Sequence, residues 1–300
     1  MIVTVTPNPA LDMTWHVERI TPGESHRVDT GRTRAGGKGI NVARVAHAQG
    51  AEAVAVTTAG GATGEEFYTE LKASGVPHRL VPVAAPTRRS VALVDASLGD
   101  TTILNERGSA LTDDEWAHLT TAIGLDGDVL VVSGSLPPGT PDDFIPRLVS
   151  GDRPVIVDTS GPALLRAAEA GAWLVKPNRD ELAEATGLSD PVTGARELLR
   201  MGAGTVLVSL GADGMLAVTA DALLHAQLPE ALAGNPTGAG DAAVAAVAVL
   251  RDAGIIDLTT LLRRAVAWSA AAVLMPLAGD IHPTWPDLEA RVTITDREHE

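Results

Sequence analysis

Along this chain, short β-branched runs alternate with stretches whose apolar residues recur at helical spacing. Residues 2–6 form the first run and stop at Pro7-Asn8-Pro9, as a buried strand entering a loop does. Further strands are predicted at 53–58, 79–83, 128–132, 154–158, 172–175 and 205–209. Helices are predicted at 65–73, 141–149, 162–170, 179–186 and 192–201. Another helix opens at Gly36-Gly-Lys-Gly-Ile-Asn41 and runs to Ala48, where Gly50 ends it. This alternation predicts an α/β fold with a mostly parallel sheet covered on both faces. Residues 215–218 and 222–226 read as an antiparallel addition, and helices at 239–253 and 257–274 close the domain. From Ala242 to Leu250 the sequence reads as a buried helix.

Two segments break the rhythm. Residues 13–19 and 26–34 alternate imperfectly around Gly23, and 89–95 and 101–105 are joined by the turn signal Gly99-Asp100. They predict two hairpins that fold together as a small sheet, a natural lid. The expected division is a core of residues 1–11, 35–86 and 107–300 and a β-sheet lid of residues 12–34 and 87–106. A lid sheet with one apolar face is a candidate surface for a homodimer.

Composition narrows the chemistry. Without a cysteine among 300 residues, a disulfide framework, a thiolate metal site and a thiol nucleophile are all excluded. The formal net charge of −15 argues against nucleic acid and anionic membrane as partners. With no membrane-length apolar run and no basic region followed by a hydrophobic stretch, the expectation is a cytoplasmic protein. An anionic substrate in so acidic a chain needs a local basic pocket. Lysine is scarce, and Lys38 and Lys176 stand in turns beside Gly or Pro.

The motifs supply such a pocket. Asn235-Pro-Thr-Gly-Ala-Gly-Asp241 puts a glycine turn at the start of the Ala-rich helix, where unpaired N–H groups and the positive dipole end make an anion site. Asp241 at its mouth suits phosphoryl transfer, taking a proton from an attacking hydroxyl while the turn holds the phosphoryl charge. A carboxylate in a first helical turn is expected to be strongly acidic and so a weak base. In a loose transition state the hydroxyl loses its proton late, and positioning carries most of the catalysis. Gly36 to Asn41 is a second glycine turn, either an ordinary strand–helix connection with a surface Lys or one whose Lys38 and Asn41 are donors for a sugar. Arg88 is either a solvated strand charge or a guanidinium that binds a phosphate bidentately. Asn178 and Glu181 fall on one side of a helix start, where they form either a hydrated Mg²⁺ site or a plain capping pair. Gly211 and Gly214, in the turn after Ser209, form either a plain hairpin or a turn that leaves room for a nucleotide against the backbone. No Walker loop and no dinucleotide fingerprint occurs.

Taken together, Gly36-Gly-Lys-Gly-Ile-Asn41 and Pro236-Thr-Gly-Ala-Gly-Asp241 resemble the two signatures of the PfkB (ribokinase-like) carbohydrate kinases. Thr6-Pro-Asn-Pro-Ala-Leu-Asp12, Thr87-Arg88, Asn105-Glu106, Ser133-Gly-Ser-Leu-Pro-Pro-Gly139 and Lys176-Pro-Asn178 are similar to the branch containing 1-phosphofructokinase and tagatose-6-phosphate kinase. The resemblance implies a three-layer α/β/α sandwich with a β lid, ATP as donor, Mg²⁺ as cofactor and a phosphosugar as acceptor. It casts Asp241 as catalytic base and Gly238, Ala239 and Gly240 as the anion hole. Asp12, Gly37, Lys38, Asn41, Arg88 and Glu106 would contact the phosphosugar. Lys176, Ser209, Gly211, Gly214 and Thr237 would contact the nucleotide, and Asn178 and Glu181 the metal. Within the resemblance fructose 1-phosphate stands first as acceptor, then tagatose 6-phosphate, then fructose 6-phosphate. A non-catalytic sugar-phosphate sensor is the reading from another class. Met275-Pro-Leu-Ala-Gly-Asp280 departs from the pattern.

Overall fold

The computed structural model describes residues 1–124 and 127–297. It begins with β1 (Ile2–Thr6), β2 (Ala10–Val17), β3 (Arg32–Gly36) and α1 (Lys38–Ala48). Next come β4 (Ala53–Ala59), α2 (Gly61–Ala73), β5 (His78–Pro82), β6 (Arg88–Asp95) and β7 (Asp100–Asn105). The middle of the chain holds α3 (Asp113–Ile123), β8 (Val129–Ser133), α4 (Phe144–Val149), β9 (Val155–Asp158) and α5 (Pro162–Glu169). β10 (Leu174–Val175), α6 (Arg179–Thr186), α7 (Pro191–Met201) and β11 (Val206–Ser209) follow. The last part comprises β12 (Met215–Val218), β13 (Leu223–Gln227), α8 (Ala239–Asp252), α9 (Leu258–Val273), α10 (Trp285–Arg291) and β14 (Thr293–Asp296).

Ten strands form one sheet in the order β14-β13-β12-β11-β10-β9-β8-β1-β4-β5. From β5 to β11 every pairing is parallel, and the three strands beyond β11 are added antiparallel. Side chains alternate between the two faces, as the two-residue period of a strand requires. β1 sends Ile2 to one helical layer and Val3 and Val5 to the other; in β8, Val129 and Val131 take the first side and Leu130 and Val132 the second. The first layer contains α1, α8, α9 and α10, the second α3 to α7. Helix α8 is buried on all sides from Asp241 to Ala248, and its small alanines let α1 and α9 pack close to it.

The small sheet has the order β3-β2-β6-β7. Both irregular segments contribute to it, joined by the parallel pairing of β2 with β6. Its first hairpin differs from the expected one: β2 starts earlier and β3 later, so residues 18–31 lie outside regular strands. The strands meet where Ala10 pairs with Gly36 and Thr14 with Arg32, and the polar stretch between them has no buried face to hold it. A third cluster, with Leu11, Ala35, Ile40, Phe67 and Leu71, seats this sheet on α1 and α2.

Three elements lie outside the sequence expectation. Helix α3 carries a Thr112–Glu115 capping box and buries Trp116, Leu119 and Ile123. Helix α10 and strand β14 are short, and β14 only lengthens the antiparallel edge. Helix α4 starts at Phe144 rather than at residue 141, after Pro141 and an Asp143 N-cap. The expected core range of 107–300 includes residues 125, 126 and 298–300, which lie outside the described residues.

Candidate active site

In a parallel sheet the chain leaves every strand at the same edge, and there the loops that can bind a ligand collect. Here β1 delivers Asn8, β8 delivers Ser135, and β9 ends on Asp158. β10 leads into Lys176 and Asn178, and β11 ends on Ser209. The starts of α1 and α8 close the opposite side, and β2 and β6 of the small sheet bring Asp12 and Arg88 from above. The result is one cleft of about 530 Å³ whose walls contain all of these residues except Asp158.

Backbone geometry explains the glycines. Gly238 caps α8 at φ +86, and a Cβ there would lie 2.7 Å from that of Ala278. The turn is fixed from outside: Asn235 Oδ1 accepts from Thr237 N at 3.0 Å, and Asn235 Nδ2 donates to Pro276 O at 3.1 Å. The atypical 275–280 segment therefore buttresses the glycine turn, while Asp280 forms an ion pair of 3.0 Å with Arg34 on β3. Gly240 leaves room for the Lys176 ammonium, which would sit 3.2 Å from an added Cβ. Gly36 lets the Asp12 carboxylate rest against its backbone, since an added Cβ would fall 1.9 Å from Oδ2.

The charged groups form a connected set. Asp241 Oδ2 accepts from Asn41 Nδ2 at 2.8 Å. Asp158, fully buried, accepts from Ser133 Oγ at 3.2 Å and lies 3.3 Å from Lys38 Nζ and 3.4 Å from Lys176 Nζ. Burial works to raise the Asp158 carboxyl, yet the two lysines hold it below the usual carboxylate range. The Asp158 charge in turn holds the Lys38 ammonium well above its usual range, against the opposing effect of burial. Asp241 behaves differently. Burial, reinforced by the Asp158 charge, pushes it up to about 6 despite Lys38, Asn41 and Lys176. Burial likewise pushes Asp12 up to about 6, with Arg88 opposing and Asp241 adding to the rise. The expectation of a strongly acidic Asp241 is thus corrected, because desolvation outweighs its place in a first helical turn.

Most residues expected at the site line this cleft: Asp12, Gly37, Lys38, Asn41, Arg88, Lys176, Asn178, Glu181, Ser209, Thr237, Gly238, Gly240 and Asp241. Four do not. The Ala239 amide turns back to Pro236 O at 3.2 Å. Glu106 borders an adjoining cavity, and its Oε2 accepts from Arg89 N at 2.7 Å. Gly211 opens a short 3-10 turn outside the cleft. Gly214, at φ +83, is demanded by the chain itself, because a Cβ would meet Ala226 O at 2.0 Å. Asp158, Ser90 and Ser160 went unnoticed in the sequence. The position of Asp158 at a parallel-strand terminus was the available signal.

Asn178 and Glu181 form the capping pair: Asn178 Oδ1 accepts from Glu181 N at 2.8 Å, and Glu181 Oε2 accepts from Asn178 N at 2.9 Å. Glu181 Oε1 stays on the cleft side, 3.6 Å from Lys38 Nζ. Among the described residues no group of three His, Cys, Asp or Glu could hold a metal alone.

The cleft pairs an anion-binding helix start with a buried carboxylate under a small sheet, and the fold is that of the ribokinase-like α/β kinases. The pattern of the pfkB family carbohydrate kinases matches residues 8–285, and the chain belongs to that family. It is 39% identical over 269 residues to a 1-phosphofructokinase of Haloferax volcanii, covering 87% of each chain. To an ATP-dependent 6-phosphofructokinase isozyme 2 of Mycobacterium tuberculosis it is 36% identical over 288 residues, covering 92% of this chain and 84% of the other. A tetrameric inhibited form of phosphofructokinase-2 from Escherichia coli superposes with a TM-score of 0.88 at 32% identity, covering 96% of this chain and 98% of that one. The chain is accordingly a phosphotransferase acting on a sugar hydroxyl. No helix among the described residues is long and apolar enough to cross a membrane.

Proposed function

We propose that the chain transfers the γ-phosphoryl group of ATP to the free primary hydroxyl of a ketohexose phosphate, with fructose 1-phosphate giving fructose 1,6-bisphosphate as the first choice. One observation carries the reading. A buried carboxylate with its pKa raised to about 6 stands in the first turn of α8, beside two lysines and on the same cleft as Arg88. The Haloferax relative supports fructose 1-phosphate, and the Mycobacterium relative keeps fructose 6-phosphate as the alternative.

In this mechanism Arg88 holds the phosphate already on the sugar, and Asp12 and Asn41 orient its hydroxyls. Asn41 also donates to Asp241 Oδ2, which aims the carboxylate. The acceptor oxygen forms its bond to the γ-phosphorus as the bond to the β-bridging oxygen breaks, and its proton passes to Asp241. The amides around Gly238 and Gly240, with Lys176 above them, take up the charge on the moving group. Lys38 stands between Asp158 and Glu181, where it balances acids that would otherwise repel the phosphates. The donor set fits Mg²⁺, because one carboxylate oxygen outside the capping pair and one amide oxygen suffice for an ion that keeps waters and phosphate oxygens. Asn178 and Glu181 would hold it, and it would supply charge neutralisation at the phosphates. Closure of the small sheet would exclude water and suppress ATP hydrolysis.

The assembly proposed is a homodimer through the small sheet. Strand β7 is exposed along its length and, with the turn before it, presents Leu98, Ile103 and Leu104 to solvent.

A panel of fructose 1-phosphate, tagatose 6-phosphate, fructose 6-phosphate and fructose, each with ATP and Mg²⁺, tests the reading by ADP release. The expected order of kcat/KM places fructose 1-phosphate first and unphosphorylated fructose last. A protein that binds these sugars but releases no ADP with any of them is a sensor, and the kinase reading fails.

A further inference from the structure

Two consecutive residues of β3 tie the small sheet to the core in different ways. Ala35 is held through its backbone: its N–H donates to Glu70 Oε2 on α2 at 2.6 Å, and its O accepts from Arg44 Nη2 on α1 at 3.2 Å. Arg44 Nη2 also donates to Glu70 Oε2 at 2.6 Å, so this link closes on itself. Arg34 is held through its side chain, with Nη1 donating to Asp280 Oδ2 at 3.0 Å. It stands directly across the ladder from Asp12, the cleft acid of β2.

Neither Arg34 nor Asp280 has a part in the transfer step. Their side chains are 16% and 43% exposed, so water competes for the pair and it adds little to the stability of the fold. What it fixes is position. Asp280 ends the segment that shapes the glycine turn at the start of α8, where Pro276 O accepts from Asn235 Nδ2 at 3.1 Å. Ala278 lies so close to Gly238 that an added Cβ there would fall 2.7 Å from its own. Gly279, at φ +85, passes Asn41, and a Cβ on it would lie 3.0 Å from Asn41 Oδ1. Asn41 in turn donates to Asp241. Residues 278, 279 and 280 thus run from the glycine turn, past the side chain that aims Asp241, to the small sheet.

We infer that Asp280, paired with Arg34, is a positioning residue: it ties the small sheet, which brings Asp12 to the acceptor sugar, to the turn that receives the phosphoryl group, and so sets the two halves of the cleft against each other. The inference rests on the kinase reading above. Each half still binds its own substrate without the pair, but the acceptor oxygen and the phosphorus lose their alignment, and alignment governs kcat rather than KM.

The test uses the full chain with Arg34→Gln, Asp280→Asn, Asp280→Glu and the double variant Arg34→Gln/Asp280→Asn. Measured are kcat, KM for fructose 1-phosphate and ATP, the thermal midpoint, and amide hydrogen exchange over residues 235–241. Each neutralising variant should lower kcat about tenfold with both KM values within about twofold of wild type and the midpoint nearly unchanged. The double variant should be no slower than either single one, because the second change breaks nothing further, and Asp280→Glu should recover part of the loss. Arg34→Gln, made on the small sheet, should speed exchange in the turn at the start of α8. Unchanged exchange there overturns the inference, as do losses that multiply in the double variant, or a kcat that stays at the wild-type value. If the wild type phosphorylates no sugar, the kinase reading fails, and the exchange measurement alone decides whether the pair couples sheet to turn.

Discussion

At Asp241 two demands oppose each other. The base proposed here must be ionised to act, yet it is buried and its pKa is raised to about 6, chiefly by burial and then by the Asp158 charge. Asp12, also raised to about 6 by burial, lines the same cleft. In the free enzyme, log kcat/KM for the phosphosugar should be flat above about pH 7 and fall below pH 6, with a slope exceeding one if both acids must be ionised. A profile flat to pH 5 contradicts the assignment. The same shift has a stability consequence of definite sign. Because the folded carboxyl holds its proton more tightly than the unfolded one, ionising it costs stability as pH rises from about 4 through 6. Asp241→Asn should therefore be more stable than wild type at pH 8, by on the order of 2 kcal/mol, and the gain should vanish as pH falls towards 4. Thermal melts across that range check it. The sequence places Asp241 at a helix start but says nothing of its surroundings, so its acidity was misjudged.

Among the elements, those with strong periodicity were legible and those held by a few contacts were not. The buried α8 is readable because its apolar run has no polar face, and the parallel strands because their runs are short and β-branched. Helix α3 was missed, although Thr112 and Glu115 announce its start, because its buried residues are only Trp116, Leu119 and Ile123. Strand β14 has one half-buried residue, Ile294, and no pattern to read. The first hairpin of the small sheet was misplaced because Asp12 and Arg34 interrupt its alternation for the sake of the cleft and of Asp280. Strand β7 bears the prediction at this scale. It pairs with β6 alone and leaves an edge with Leu104 57% exposed. Leu104→Lys should convert a dimer into monomers in sedimentation experiments while leaving the thermal midpoint of the fold within a few degrees. A wild type that is monomeric at all concentrations contradicts pairing through this strand.

For the molecule as a whole, function arises from two sheets meeting at one edge. The large sheet supplies Asp158, Lys176 and Ser209 from its strand termini, and the small sheet adds Asp12 and Arg88. Both glycine turns were visible in the sequence because only residues without a Cβ permit these approaches, and that constraint is written in residue type. Asp158 was invisible for the opposite reason: nothing local distinguishes an acid at a strand end from any other, and its role comes from lysines 120 residues earlier and 18 later. An acidic chain thereby keeps two lysines where an anionic substrate would sit, Lys38 and Lys176, both held by the buried Asp158. The most direct test is ADP release with saturating ATP, Mg²⁺ and fructose 1-phosphate, comparing wild type with Asp241→Asn. The proton-transfer role predicts a kcat at least a hundredfold lower, about 3 kcal/mol, with little change in KM. A folded variant that keeps near wild-type kcat would contradict it.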